Sequence, residues 1–406
     1  MYLFLVEKYM HSIAIVGSDS LALQLALMLR KASPRRKIFV IPYPRETLGL
    51  IRESIFNPSS EPVLYSRKTH TFLGKYILAN VLRITVRSPL LSIDLDAHII
   101  ETQRGSVKAD EIIVSYRGDI RAIISSKHGE YAFVLNNLLS LKKFLKALIR
   151  IKDPIMIEGP PSLSIPLANL VLKMEKKAFL TREALEYFFD DDILHKMAKY
   201  LPLFSENSNE LENLVRLTLC YVPKLNDYVD VDSSLKYSEN VYFFGENVRT
   251  LEILTESRRV FITPDVIEKE MYTVLSGILF NNPGPRGFLE IFHERIGTLE
   301  LVSIGLPYRE LEKKFKLTST KVSLSQGTTG TLKLIAERNI GTIVGAQLVF
   351  ERGCPFYLTI DSLYPLIAMR IPAMEAYTLV VRSSRDIFEK DPLITALRAI
   401  IKKLYY

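Results

Sequence analysis

Gly17-Ser18-Asp19-Ser20-Leu21-Ala22 follows an apolar run over 13–16 and opens a segment of helical spacing that ends at Arg30. A second apolar run covers 38–41. Strand, glycine turn, helix and strand in that order are the layout of a dinucleotide-binding unit, where N–H groups at the helix start take a pyrophosphate. The fingerprint G-x-G-x-x-G/A is met by Gly17 and by the small residue Ala22, but its middle glycine is Asp19. A carboxylate there repels a phosphate, and its side chain obstructs the close approach that glycine permits. The acidic residue expected at the end of the second strand, which would hold a ribose hydroxyl, is replaced near Pro42-Tyr43, and Glu46 comes late.

The same module recurs. An apolar run over 154–157 leads into Glu158-Gly159-Pro160-Pro161, and helical spacing resumes over 163–176. Counted from Gly159, the other two glycine positions fall on Pro161 and Ser164, and Pro166 lies just beyond. Prolines lack the N–H groups that would cradle a phosphate. Other constellations are missing: the chain has no G-x-S-x-G elbow, no P-loop and no H-E-x-x-H pair. Its six histidines are scattered, and Cys220 and Cys354 form no C-x-x-C pair, so they read as buried small hydrophobes. Asp190, Asp191 and Asp192 read as the start of a helical segment, where negative charge suits the dipole, rather than as metal ligands.

The elements that must position these residues follow an α/β plan. Short strands are predicted at 84–86, 91–95, 99–102 and 111–115, with a turn at Asp96-Ala97, after an irregular region over 42–67 and a helix over 71–81. Helical spacing covers 138–149 and 181–203, with Thr181 as an N-cap, and 205–215 reads as a loop. Strands return at 217–222, 228–231 and 241–244, then a helix over 264–279. Pro283, Gly284, Pro285 and Gly287 mark a boundary. Beyond it come strands at 299–304, 321–324, 331–337 and 341–350, then helices near 360–369, 373–380 and 391–404, the order of an α+β domain.

Composition bounds the rest. The chain has 406 residues, enough for two or three domains. With 48% hydrophobic and 24% charged residues it is a folded protein rather than a disordered one. No apolar run reaches the length of a membrane span, so no membrane partner is expected. The opening MYLFLVEKYM is broken at Glu7 and Lys8 and reads as the lead-in to the first strand. The unpaired cysteines suit a reducing cytoplasm. The net charge of +8 is spread along the chain without a dominant block, which counts against nucleic acid as a partner. Absence of Trp and plentiful charged residues suit a thermophile.

Several stretches together resemble the FAD-dependent pyridine nucleotide–disulfide oxidoreductases, in particular their CoA-disulfide reductase and NADH oxidase branch. LIAERNIGTIVGAQLV, with Gly345-Ala346-Gln347, is similar to that family's C-terminal strand pair, and DPLITALRAII to its closing helix. VSIGLPYRELEKKF resembles the start of its dimerisation domain, and YFFDDDILHKMAKYL the loop and helix after the second nucleotide unit. ADEIIVSYRGD and VYFFGEN resemble its two flavin-contacting strands, with Glu246 where an Asp usually meets the ribityl chain. The family's reactive cysteine falls on Pro58 or Ser59 here, so thiol chemistry is lost at that place.

The resemblance implies an FAD/NAD(P)-binding α/β fold of two dinucleotide-binding domains with a C-terminal α+β dimerisation domain. It implies an FAD-type domain over 1–150 and 240–285, a reduced NAD(P)H-type domain over 151–239, and a dimerisation domain over 286–406 that would make a homodimer. Gly17, Ala22, Gly118, Gly245 and Glu246 are the residues that would contact FAD, and Gly159 belongs to the NAD(P)H loop. Two functions stay open. One is NAD(P)H oxidation through FAD to oxygen or another non-thiol acceptor. The other is an inert dimeric paralogue, a binding or scaffold protein that has lost FAD and NAD(P)H alike.

Overall fold

The computed structural model describes residues 11–44, 83–127, 129–135, 138–197, 214–222, 228–325, 329–351, 357–380 and 391–405. The opening residues 1–10, the helix expected over 71–81, the cysteine-equivalent stretch 54–62, all but the last two residues of the loop expected over 205–215, and Cys354 lie outside them, and Val215 opens a strand rather than ending that loop. The chain divides into two compact units. The first comprises Met1–Lys152, Leu219–Leu251 and Arg258–Gly287; the second comprises Asp153–Thr218, Glu252–Ser257 and Phe288–Tyr406.

In chain order the first unit opens with β1 (Ser12–Val16), α1 (Ser20–Ala32), β2 (Lys37–Ile41) and β3 (Ile84–Val86). Next come β4 (Leu90–Asp94), β5 (Ile99–Thr102), β6 (Gly105–Lys108) and β7 (Glu111–Ser115). The hairpin β8 (Asp119–Ser126) and β9 (Gly129–Val134) leads to α2 (Leu138–Arg150). The second unit supplies β10 (Ile155–Glu158), α3 (Pro161–Lys173), β11 (Ala178–Leu180), α4 (Arg182–Glu186) and α5 (Asp191–Met197). After β12 (Val215–Val222) the chain returns to the first unit for β13 (Val229–Asp230), β14 (Lys236–Ser238), β15 (Val241–Phe244), β16 (Val248–Leu251), β17 (Arg258–Val260) and α6 (Pro264–Phe280). The second unit closes with β18 (Ile291–Ile296), β19 (Leu299–Gly305), α7 (Tyr308–Leu311), β20 (Leu317–Ser325), β21 (Thr329–Glu337), β22 (Ile343–Glu351), α8 (Tyr357–Ala368), α9 (Ala373–Leu379) and α10 (Pro392–Tyr405).

The first unit is built on a sheet of order β14-β15-β7-β1-β2-β3. β1 lies between β2 and β7, parallel to both, so its residues Ile13 to Val16 are buried completely. That is why the run is continuously apolar rather than alternating. Leu21, Leu25 and Leu29 on α1 recur at four-residue spacing and are likewise buried. The next strand in sequence, β2, lies to one side of β1 and β7 to the other, so the strand order reverses at β1. The crevice outside the carboxyl ends of β1 and β7 is where open α/β sheets take ligands. The meander has a third strand, β6, and 119–134 form a hairpin, neither of which the sequence pattern had suggested.

In the second unit β10 pairs in parallel with β11 and β12. The sheet β18-β19-β22-β21-β20 is antiparallel throughout, and helices α8, α9 and α10 bury Leu363, Ile367, Ala376, Leu397 and Ile400 in its core. Of the helical stretch expected over 181–203, the described residues to 197 form two short helices, the second opening at Asp191 as the acidic run suggests, and Thr181 stands at the N-cap position without a side-chain bond to the helix. Tertiary contacts hold the break. The Phe188 ring stacks on Phe292 with centroids 4.4 Å apart, and the Phe188 carbonyl accepts from Ser303 Oγ at 2.8 Å. Cys220 is half-buried, not the fully buried hydrophobe expected.

Beside that break lies a buried charge cluster. Lys333 Nζ on β21 lies 2.7 Å from Asp190 and 2.8 Å from Asp192, and the Lys333 and Asp190 side chains are nearly inaccessible. Gln347, directly across from Lys333 in the ladder, donates to Asp190 Oδ2 and accepts from the Asp190 N–H, both at 3.1 Å. Asp190 Oδ1 accepts from the Tyr308 N–H at 2.8 Å. Removing one partner of a buried pair leaves the other charge uncompensated. Lys333→Met is therefore expected to lower stability by about 3 kcal/mol in urea unfolding.

Burial acts to raise the Asp192 carboxyl, but hydrogen bonds and charge from Lys333 and Lys321 outweigh it and hold the group below its ordinary value. A carboxylate depressed in the folded state stabilises above its unfolded pKa of about 4 and loses that contribution as pH falls through the folded value. Asp192→Asn should flatten the acid limb of a stability–pH curve below about pH 4 while leaving its shape at neutral pH unchanged.

Candidate functional site

Ser115 ends β7, Gly17 follows β1 and Gly245 follows β15, so three turns meet at one edge of the first unit's sheet. Gly17 has φ +118°, and a Cβ there would lie 2.8 Å from Ser115 Cβ. Gly245 has φ +125°, and a Cβ would lie 2.8 Å from the Tyr116 carbonyl oxygen. Both glycines are therefore required by the backbone alone, with or without a ligand.

Asp19 is the N-cap of α1 and is almost fully buried. Its Oδ1 accepts from the Leu21 N–H at 2.9 Å and from the Ala22 N–H at 3.1 Å. Its Oδ2 accepts from Ser115 Oγ at 2.7 Å. These amides carry the positive end of the helix dipole, the feature that draws anions. Here the chain supplies the anion itself.

The opposite side of the crevice carries a second charge. Arg117 Nε and Nη2 donate to Glu246 Oε1 at 3.0 and 2.7 Å, with both side chains about 2% exposed or less. Glu246 Oε2 and Asn247 Nδ2 are buried without a hydrogen-bond partner among the described residues. The Gly245 N–H donates to Glu270 Oε2 at 2.9 Å, and the Asn247 N–H to the Tyr116 carbonyl at 3.3 Å. At Gly118 a Cβ would meet the Val222 carbonyl oxygen at 3.0 Å and Asn247 Nδ2 at 3.3 Å. Gly17, Ala22, Gly118, Gly245 and Glu246 are thus all in the first unit, on the turns and the helix end that border this edge.

Gly159 belongs to the second unit. It has φ +128° after β10, and Pro160 caps α3 without a side-chain bond, with Pro161 next. The first eight residues of α3, from Pro161 to Ala168, are buried. This helix start lacks two N–H groups outright, those of Pro160 and Pro161, and is packed over.

Ser115 and Arg117 were not among the residues the sequence singled out. The only signal for them was a serine and an arginine at the end of the apolar run EIIVSYRGD, where a wholly buried strand end would favour apolar types. Among the described residues no cluster of His, Cys, Asp and Glu could hold a metal ion.

Asp19→Ala removes the cap and leaves Ser115 without its acceptor, so a loss of about 1–2 kcal/mol is expected in thermal or urea unfolding. Asp19→Asn keeps an acceptor oxygen and should cost less. Arg117→Met strands the buried Glu246 and should cost about 3 kcal/mol, whereas Arg117→Met with Glu246→Leu should recover most of that loss.

No family model matches this sequence, and no curated protein does. Solved structures do. The chain superposes on an NAD-dependent persulfide reductase from A. fulgidus with TM-score 0.76 and 14% identity, covering 97% of this chain and 83% of that one. A pyridine nucleotide–disulfide family oxidoreductase from Enterococcus faecalis gives TM-score 0.70 and 16% identity, covering 97% and 99%. A water-forming NADH oxidase from Lactobacillus brevis gives TM-score 0.69 and 11% identity, again covering 97% and 99%. Over nearly its whole length, the chain has the fold of the FAD/NAD(P)-binding pyridine nucleotide–disulfide oxidoreductases.

Proposed function

We propose that this chain is a diverged pyridine nucleotide–disulfide oxidoreductase that has given up flavin and nicotinamide chemistry and serves as a binding or scaffold protein. Asp19 carries this reading. Its carboxylate takes the Leu21 and Ala22 amides and the Ser115 hydroxyl, so the helix end that would hold a pyrophosphate is filled by a covalently attached anion. A second anion there would meet a buried like charge. The residues present do not fit FAD at this position, and the proline-capped start of α3 does not fit NAD(P)H. No cysteine stands at 58 or 59 to accept electrons. On this reading the protein acts in the cytoplasm as a homodimer joined through residues 286–406.

One observation favours the other reading, NAD(P)H oxidation through FAD to oxygen or another non-thiol acceptor. Glu246 Oε2 and Asn247 Nδ2 are a spare buried acceptor and donor, the kind of pair a ligand hydroxyl would satisfy. The two readings separate in the visible spectrum of the purified protein. We expect a colourless protein that releases no flavin on denaturation and shows no thermal shift with FAD, NADH or NADPH. A ligand at a hundredfold its Kd would add about 2.7 kcal/mol, a readable shift. Yellow protein bleached by NADH would overturn the proposal. Asp19→Gly should create a stabilisation by inorganic pyrophosphate that the unsubstituted protein lacks.

A further inference from the structure

Helix α2, LLSLKKFLKALIR, has a sharply divided surface. Phe144 and Leu148 are fully buried, and the Phe144 ring meets Phe133 of β9 edge-on with centroids 5.6 Å apart. At 100° per residue, Lys142, Lys143, Lys146 and Arg150 fall together on the opposite arc, and all four are exposed. Leu139 and Ile149 lie on that same outward arc, 42% and 59% exposed. No acidic residue occurs from 135 to 152, and none of the four cations is paired with an acidic side chain among the described residues. Tyr131, 60% exposed, projects from the same face of β9 as Phe133 and so flanks the helix.

A solvated helix face has no use for two aliphatic side chains among its cations, and it ordinarily carries acidic residues as well. Cations interleaved with aliphatic residues, with a tyrosine at the margin, match the headgroup layer of an anionic bilayer, where charge attracts and apolar side chains enter the acyl boundary. We propose that the outer face of α2 docks this protein on a membrane surface rich in anionic phospholipid. Nucleic acid would use the cations but gains little from Leu139 and Ile149, which neither stack on bases nor pair with them. The association needs no membrane span, and among the described residues no helix is long and apolar enough to be one. It departs from the expectation of no membrane partner, which rested on the lack of a span. It also holds whether or not the first unit binds a cofactor.

Co-sedimentation of the full chain with phosphatidylcholine vesicles, with and without phosphatidylserine, tests it at low and physiological ionic strength. Binding is expected only to the anionic vesicles and should weaken with salt. Lys142→Glu with Lys146→Glu should reduce partitioning at least about tenfold. Leu139→Ser with Ile149→Ser should also reduce it, although the charge is unchanged. All four side chains point outward, so circular dichroism and melting should be unaffected; Lys142→Gln with Lys146→Gln is the milder substitute if the reversal misfolds. No partitioning onto anionic vesicles would overturn the proposal. So would binding that ignores the charge reversal or the loss of Leu139 and Ile149, or retention by duplex RNA or DNA with none by lipid.

Discussion

The edge of the first unit's sheet is organised by one close approach, that of Gly17 to Ser115. The two strands β1 and β7 come so near at their carboxyl ends that no side chain fits between them. This places the Ser115 hydroxyl within reach of Asp19 and fixes Asp19 over the first amides of α1. Three donors converge on one carboxylate. The arrangement satisfies two orphan N–H groups of the helix and sets a negative charge against the positive end of its dipole.

Arg117 and Glu246 repeat that logic across the crevice. A carboxylate on β15's following turn would by itself be an unpaired buried charge, and the guanidinium from the turn after β7 cancels it. Gly17 and Gly245 are demanded by positive φ and tight neighbours, so the backbone alone accounts for both glycines. In the second unit, Lys333, Asp190 and Gln347 form a buried cluster with the half-buried Asp192 at its margin, and its work is structural: it seats the segment between α4 and α5 against the β21–β22 ladder.

Much of this was legible in the order of residues. The continuous apolar run of β1, the four-residue spacing of α1, and the strands from 299 and helices from 357 onward match the structure, because burial on both faces or on one leaves a period in the sequence, whereas β18 and the short α7 left no such pattern. The outer strand of the hairpin β8–β9 is mostly exposed and β6 is a short edge strand, so neither leaves a clear period in the sequence. The helical stretch expected from 181 is interrupted between Glu186 and Asp191, where the ring and carbonyl of Phe188 are claimed by Phe292 and Ser303, more than a hundred residues away.

The sequence by itself determined the fold class and the damage to both glycine loops, since these depend on local spacing and residue type. It showed Asp19 as an obstruction to phosphate, a statement about charge and size. Only the tertiary structure showed how that carboxylate is held, because the hydroxyl of Ser115 joins the capped amides of Leu21 and Ala22 on it only once β7 lies beside β1. The same holds for Glu246, whose acidic character is plain in the chain. Its partner, 129 positions away, was decided by the parallel pairing of β15 with β7.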